Sequence, residues 1–126
     1  MEFALIYSIK HDNVLINISD LEEFIMKIRL FCAAGMSTSV LVNKMREAAA
    51  KRGMEADIAA FPESKMADQL DGVDVALLGP QVGYTLPKAK QTCGAVGVPV
   101  DVIPMQDYGM MNGEKVLDFA IKIAGK

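Results

Sequence analysis

The stretch KIRLFCAAGMSTSVLVNKMREAAAKRG, residues 27–53, runs from a short apolar segment through small and hydroxyl-bearing residues into a helical pattern. KIRLFC, 27–32, reads as a strand covered on both faces, because its apolar character is nearly continuous rather than alternating. Beyond it Leu41, Met45, Ala48 and Ala49 share one helical face, Glu47 and Lys51 form an i, i+4 pair outside, and Gly53 supplies a C-terminal stop. Strand, tight loop and helix in that order open a βαβ unit, and the rest of the chain repeats the theme.

Three further apolar runs follow: ADIAAF (56–61), VDVALLG (73–79) and VPVDVI (98–103). PESKMADQL, with Met66 and Leu70 one turn apart and Pro62 at its head, predicts a short helix between the second and third strands. Val82, Leu86, Ala89 and Cys93 recur on one helical face after the third, with Gly83 and Pro87 predicting a kink or an irregular first turn. A final helix follows Asn112 and Gly113, repeating Val116, Phe119, Ala120, Ile123 and Ala124. Right-handed crossovers then leave an α/β fold with a four-stranded parallel sheet in order 2-1-3-4, a flavodoxin-like three-layer arrangement, as the simplest topology that covers both faces. Strands 1 and 3 are neighbours there, and the chain leaves them in opposite directions. The crevice beyond their C-terminal ends is where doubly wound sheets bind ligands, and Cys32 stands at its rim.

Residues 1–26 fall outside the alternation. FALIYSI and VLINI suggest a hairpin around HDN, and Ser19 with Glu22 resembles a capping box for a short helix. They are expected to be an accessory or non-native extension, a docking arm being the alternative, since MKIRLFCAAG from Met26 makes a natural start to strand 1. Residues 27–126 form the remaining domain.

Composition narrows the function. The chain of 126 residues is 52% hydrophobic and 23% charged, with a net charge of −3, the profile of one compact domain. Residues 1–26 set Lys10 against Glu2, Asp12, Asp20, Glu22 and Glu23, so the remainder is nearly neutral. A near-neutral body without a Lys/Arg cluster argues against nucleic acid, whose affinity comes largely from phosphate neutralisation. No apolar stretch approaches the ~20 residues that span a bilayer, and no signal-peptide pattern opens the chain, so the expected location is the cytoplasm. His11 is the only histidine, so neither a zinc site nor a Ser/His/Asp triad has a supporting set, and no metal or cofactor is implied.

The loop from Cys32 to Ser39, CAAGMSTS, is the centre of the chemistry. Successive backbone N–H groups between a strand end and a helix start, with the positive end of the helix dipole, make an anion site suited to phosphate. Gly35 lets the backbone approach a ligand, Ala33 and Ala34 keep the mouth open, and Ser37, Thr38 and Ser39 add hydroxyl donors. The same field favours thiolate over thiol, which makes Cys32 a nucleophile rather than a merely buried strand-end residue. Cys93, on the apolar face of its helix, reads as packing. Low-molecular-weight tyrosine phosphatases, whose fold this arrangement resembles, carry C-x5-R-[ST], with an arginine that clamps phosphate and stabilises the transition state. Here the sixth residue after Cys32 is Thr38, so efficient hydrolysis is not expected.

The segments LFCAAGMSTSVLVNKMREAAAKRG, AFPES and VALLGPQVGYTLPKAK together resemble the B component, enzyme IIB, of the lactose, cellobiose and diacetylchitobiose class of bacterial sugar phosphotransferase systems. The likeness covers roughly residues 26–125. It implies a phosphoryl carrier: Cys32 would take a phosphoryl group from a phosphohistidine on the A component and pass it to a sugar bound by the membrane-embedded C component. Ala33, Ala34, Gly35, Met36, Ser37, Thr38 and Ser39 would cradle the phosphate. Gly79, Pro80, Gln81 and Tyr84 after strand 3, with Tyr108 and Gly109 after strand 4, would either contact a partner or form turns and pack. Met36 would dock a partner or pack, while Met105, Met110 and Met111 are expected to pack rather than form an exposed patch. A phosphatase-like hydrolase and a regulatory binding module that transfers nothing stand as alternatives.

Overall fold

The computed structural model describes residues 9–11, 14–16, 25–33 and 36–125. Near the start, β1 (Ile9–His11) pairs antiparallel with β2 (Val14–Ile16), Lys10 opposite Leu15. This is the expected hairpin in shortened form; the proposed cap at Ser19 and Glu22 lies outside the described residues. The main sheet has four strands, β3 (Met26–Cys32), β4 (Ala56–Pro62), β5 (Val75–Leu78) and β6 (Val100–Val102), all parallel, in spatial order β4-β3-β5-β6. That is the 2-1-3-4 order read from the sequence.

Helix α1 (Met36–Lys51) joins β3 to β4 and buries Leu41, Met45, Ala48 and Ala49 against the sheet. It ends because Gly53 takes a positive φ of 67°, which lets the N–H groups of Gly53 and Met54 turn back onto the carbonyls of Ala50 and Ala49. The segment expected as a short helix is a 3₁₀ turn, Glu63–Asp68, with only Met66 buried. Six residues headed by a proline that ends β4 leave too little length for α-helical bonds to accumulate. After β5 comes a second 3₁₀ segment, Pro80–Thr85, then α2 (Leu86–Gly94), the break falling at Val82 as Gly83 and Pro87 suggest. A five-residue helix α3 (Met105–Gly109), not anticipated, follows β6, and α4 (Gly113–Ala124) closes the chain with the Asn112 side chain accepting from the Lys115 N–H at 3.1 Å.

Two apolar layers sandwich the sheet. Ile28, Leu30, Val75 and Leu77 face α1 and α4, while Phe31, Ala76 and Leu78 face Met66, Val82, Ala89 and Cys93 on the other side. The strict exchange of Val75 and Leu77 with Ala76 and Leu78 is the two-residue period of a strand buried on both faces. Met105 and Met110, expected to pack, are instead 76% and 69% exposed, whereas Met111 packs on the first layer. Met105 opens the five-residue α3 and Met110 follows its last residue, a segment too short to turn both toward the core.

One charge is buried in the sheet. Arg29 on β3 is 8% exposed, and its guanidinium donates to both carboxylate oxygens of Asp57 on β4, at 3.2 and 3.1 Å, and to the Ile28 and Asp57 carbonyls. The hydrogen bonds from Arg29 hold the Asp57 carboxyl below its ordinary value, partly opposed by burial. A carboxyl depressed on folding stabilises the fold above its unfolded value, near 3.9, and loses that contribution as pH falls through the folded value. Asp57→Asn is therefore expected to lower stability at pH 7 by about 1 kcal/mol, a charged hydrogen bond discounted for a half-exposed acceptor. Urea unfolding at pH 7 and at pH 3 checks it: the gap between variant and wild type narrows in acid.

Candidate functional site

Cys32 is the last residue of β3, opposite Pro62 of β4, and is 2% exposed. Its position follows from strand pairing. The Gly79 N–H donates to the Phe31 carbonyl at 2.9 Å, so the end of β5 is fixed beside the cysteine. A Cβ at Gly79 would lie 3.4 Å from that of Cys32 and 2.9 Å from the Gln81 side-chain oxygen, so the glycine keeps space beside the thiol.

Helix α1 begins four residues beyond Cys32, and its sixteen residues present an N-terminus to the same end of the sheet. No acidic residue lies in its first turn, so nothing there offsets the partial positive charge that the unpaired N–H groups and the helix dipole create. Of the expected cradle, Ala33 is exposed, Ala34 and Gly35 lie outside the described residues, and Met36 and Ser37 belong to the first turn. Ser39 is exposed in the same turn. Thr38 is different: it is 1% exposed, and its hydroxyl shares a 3.1 Å hydrogen bond with the hydroxyl of Tyr108 in α3. The side chain expected to reach for phosphate is thus turned into the protein, leaving its backbone N–H as what it can offer an anion. Tyr108, expected among partner contacts, is buried at 6% exposure and supports the loop from beneath. An unpartnered buried hydroxyl costs about 1–3 kcal/mol, so Tyr108 makes the burial of the Thr38 hydroxyl tolerable.

Nothing in the local sequence marks this pair, since its members are 70 positions apart. What could have found it is topological: the loops after strands 1 and 4 of a parallel sheet emerge at the same end.

Around this rim stand exposed apolar residues. Tyr84, after β5, is 81% exposed, with Pro80 half-buried and Gln81 exposed beside it in sequence; Met105 and Met110 follow β6, and Val40, in α1, is 48% exposed. A cavity of about 310 Å³ between the first 3₁₀ turn and α2, lined by Glu63, Ser64, Met66 and Lys88 among others, does not include Cys32. Cys93 is fully buried, its sulfur 3.7 Å from that of Met66, and burial pushes its thiol up. It is a packing residue, as expected.

The three arginines of the chain are all engaged elsewhere: Arg29 with Asp57, Arg46 with the Ile58 carbonyl at 3.1 and 2.6 Å, and Arg52 with Glu114 and Asp118 at 2.9 and 2.8 Å. A guanidinium clamp of the phosphatase kind is not built here.

Fold and site together define an α/β domain with a cysteine at a strand end, set before a helix N-terminus suited to hold an anion. The chain belongs to the lactose/cellobiose-specific IIB subunit family of the sugar phosphotransferase system, whose family profile matches residues 27–119. It is 50% identical over 95 residues to the galactose-specific EIIB component of Lactococcus lactis subsp. cremoris and, over the same length, to the cellobiose-specific EIIB component of Lactococcus lactis subsp. lactis; each match covers 71% of this chain and 88% of the relative. The oligo-beta-mannoside-specific EIIB component of Bacillus subtilis is 37% identical over 97 residues, covering 77% of this chain and 94% of that one. Among solved structures, the cellobiose-specific IIB component of Borrelia burgdorferi superposes with a TM-score of 0.68 at 39% identity, covering 80% of this chain and 93% of that one. The lactose-specific IIB domain of Streptococcus pneumoniae gives 0.71 at 19% identity, over 78% and 96% of the two chains, a likeness of fold. No described helix is long and apolar enough to cross a membrane.

Proposed function

We propose that Cys32 carries a phosphoryl group between two partners, receiving it from a phosphohistidine of an A component and giving it to a sugar bound by a membrane C component. The Cys32 sulfur, as thiolate, attacks phosphorus; the S–P bond forms as the P–N bond to histidine breaks, and the imidazole nitrogen leaves with the electron pair. In the second step a sugar hydroxyl oxygen attacks, the O–P bond forms with loss of the hydroxyl proton, and the thiolate departs. The observation that carries this reading is the placement of Cys32 at the end of β3, just ahead of an α1 N-terminus that lacks any acidic residue.

Two features favour a carrier over a hydrolase. All three arginines are committed to other partners, and the low exposure of Cys32 keeps bulk water away. The exposed Tyr84, Met105 and Met110 suit protein docking, because aromatic and methionine side chains are enriched at interfaces and thioethers adapt to more than one surface.

Incubation with a phosphorylated A component tests the reading: an acid-labile label on Cys32, located by peptide mass, is the expected product. Steady release of inorganic phosphate from an aryl phosphate, with no label retained, would instead identify a hydrolase. Docking carries its own prediction. Tyr84→Ala is expected to raise the half-saturating concentration of the donor about tenfold, roughly 1.4 kcal/mol, while the saturating rate and melting temperature stay unchanged. Initial rates of labelling across a donor titration check it.

A further inference from the structure

The hydroxyl pair beneath the loop joins two segments that both border the site. Thr38 is the third residue of α1 and the sixth after Cys32; Tyr108 lies in α3, which follows β6 at the same end of the sheet. Their hydroxyls are 3.1 Å apart, and both residues are buried, as is Arg29. Arg29 has a bidentate carboxylate; the Thr38 hydroxyl has Tyr108.

Tyr108 is itself firmly held. Its N–H donates to the Pro104 carbonyl at 3.0 Å, and the Asn112 N–H returns to the Asp107 carbonyl at 3.0 Å before Asn112 caps α4. The chain from 104 to 115 is therefore a fixed frame, and the hydroxyl bond fastens the first turn of α1 to it. That turn carries the N–H groups without a partner inside the helix, which the carrier reading assigns to the phosphoryl oxygens.

We infer that Tyr108 is a positioning residue for phosphoryl transfer, acting through Thr38 to hold the first turn of α1 in register with the Cys32 sulfur. The inference rests on the reading of Cys32 as the phosphoryl carrier. Preorganised donors act only where the transferring oxygens will be, and a displacement of an ångström costs up to ~10²-fold in rate, so a tether at the sixth position is felt in the transfer step rather than in docking. Tyr108 is too buried to meet the donor protein itself, which separates its effect from that of the exposed Tyr84.

Tyr108→Phe removes one hydroxyl and keeps the ring. At saturating phosphorylated A component its rate of Cys32 labelling is expected to fall about tenfold, with the half-saturating concentration unchanged, a partial displacement on the scale above. Thr38→Val should fall equally, the double variant no further than either single one, and Thr38→Ser, which keeps the hydroxyl, should stay near the wild-type rate. Thermal melts run alongside establish the folded fraction, and if Tyr108→Phe does not fold, Thr38→Val against Thr38→Ser provides the same comparison. A folded Tyr108→Phe with the wild-type saturating rate and only a lowered melting temperature overturns the inference, as do single losses that multiply in the double variant. A wild-type chain that takes no label on Cys32 overturns the carrier reading and this inference with it; a labelled wild type with a fast Tyr108→Phe overturns the inference alone.

Discussion

Cys32→Ser is expected to take no label from a phosphorylated A component and to transfer nothing to sugar, while still folding and docking. Serine changes one atom at a position that is 2% exposed, so the backbone at the end of β3 is kept, and stability should fall only by what a buried hydroxyl costs, about 1–3 kcal/mol. The chemistry is lost because a hydroxyl is a weak nucleophile at neutral pH without an adjacent base, whereas a thiol is partly ionised there and intrinsically reactive. Among the described residues, those set against Cys32 by strand pairing and by the end of β5, namely Pro62 and Gly79, offer no base. Autoradiography or intact-mass measurement of the isolated chain after incubation reads the result. Binding of the A component, measured separately, should be close to wild type, which shows that the defect is in transfer. A labelled Cys32→Ser protein would place the acceptor elsewhere and end the carrier reading for this residue.

The second large effect concerns the frame that supports the site. Gly113 opens α4 and is buried where that helix meets α1, and a Cβ there would drive into the backbone carbonyl group of Lys44. Backbone cannot rotate aside as a side-chain end can, so the two helices must part. Overpacking of this kind costs about 1–3 kcal/mol, and Gly113→Ala should lie at the upper end. For a domain of this size the melting temperature is expected to fall by roughly 10 °C. Gly94→Ala is the natural comparison, because a Cβ there meets nothing within 4 Å and alanine is the better helix former. Calorimetry should find that variant as stable as the wild type. Equal melting temperatures for the two substitutions would show that α1 and α4 can separate freely.

The sheet was legible because its strands announce themselves twice, by continuous apolar runs such as VALL and by the helical periods between them. Strand order follows from right-handed crossovers together with the need to cover both faces, and the site's place follows from strand order. Cys32 could be located before any contact was known. What escaped was the fine structure of short connections. The 3₁₀ turn at Glu63–Asp68 shows the same apolar spacing, Met66 and Leu70, as one turn of α-helix, and only its length separates the two. Apolar composition alone predicts that Met105 and Met110 are covered, yet a short connection after β6 leaves both exposed, which composition does not report. Thr38 was read as a phosphate donor because its hydroxyl lies in a run of hydroxyls. Local sequence contains nothing that separates Thr38 from Ser37 and Ser39; a tyrosine far along the chain does.

The commitment of Arg29, Arg46 and Arg52 to internal partners reaches beyond the question of hydrolysis. A phosphoryl group on Cys32 would add about −1.5 to −2 charges that no guanidinium neutralises. The chain would pass from −3 toward about −5, with the whole increment concentrated at the rim bearing Tyr84, Met105 and Met110. On the carrier reading, loaded and empty forms would differ in surface potential. A docking partner with a basic patch would then sort them by charge, retaining the loaded form and releasing the spent one, so that the direction of the proposed relay would be written in electrostatics.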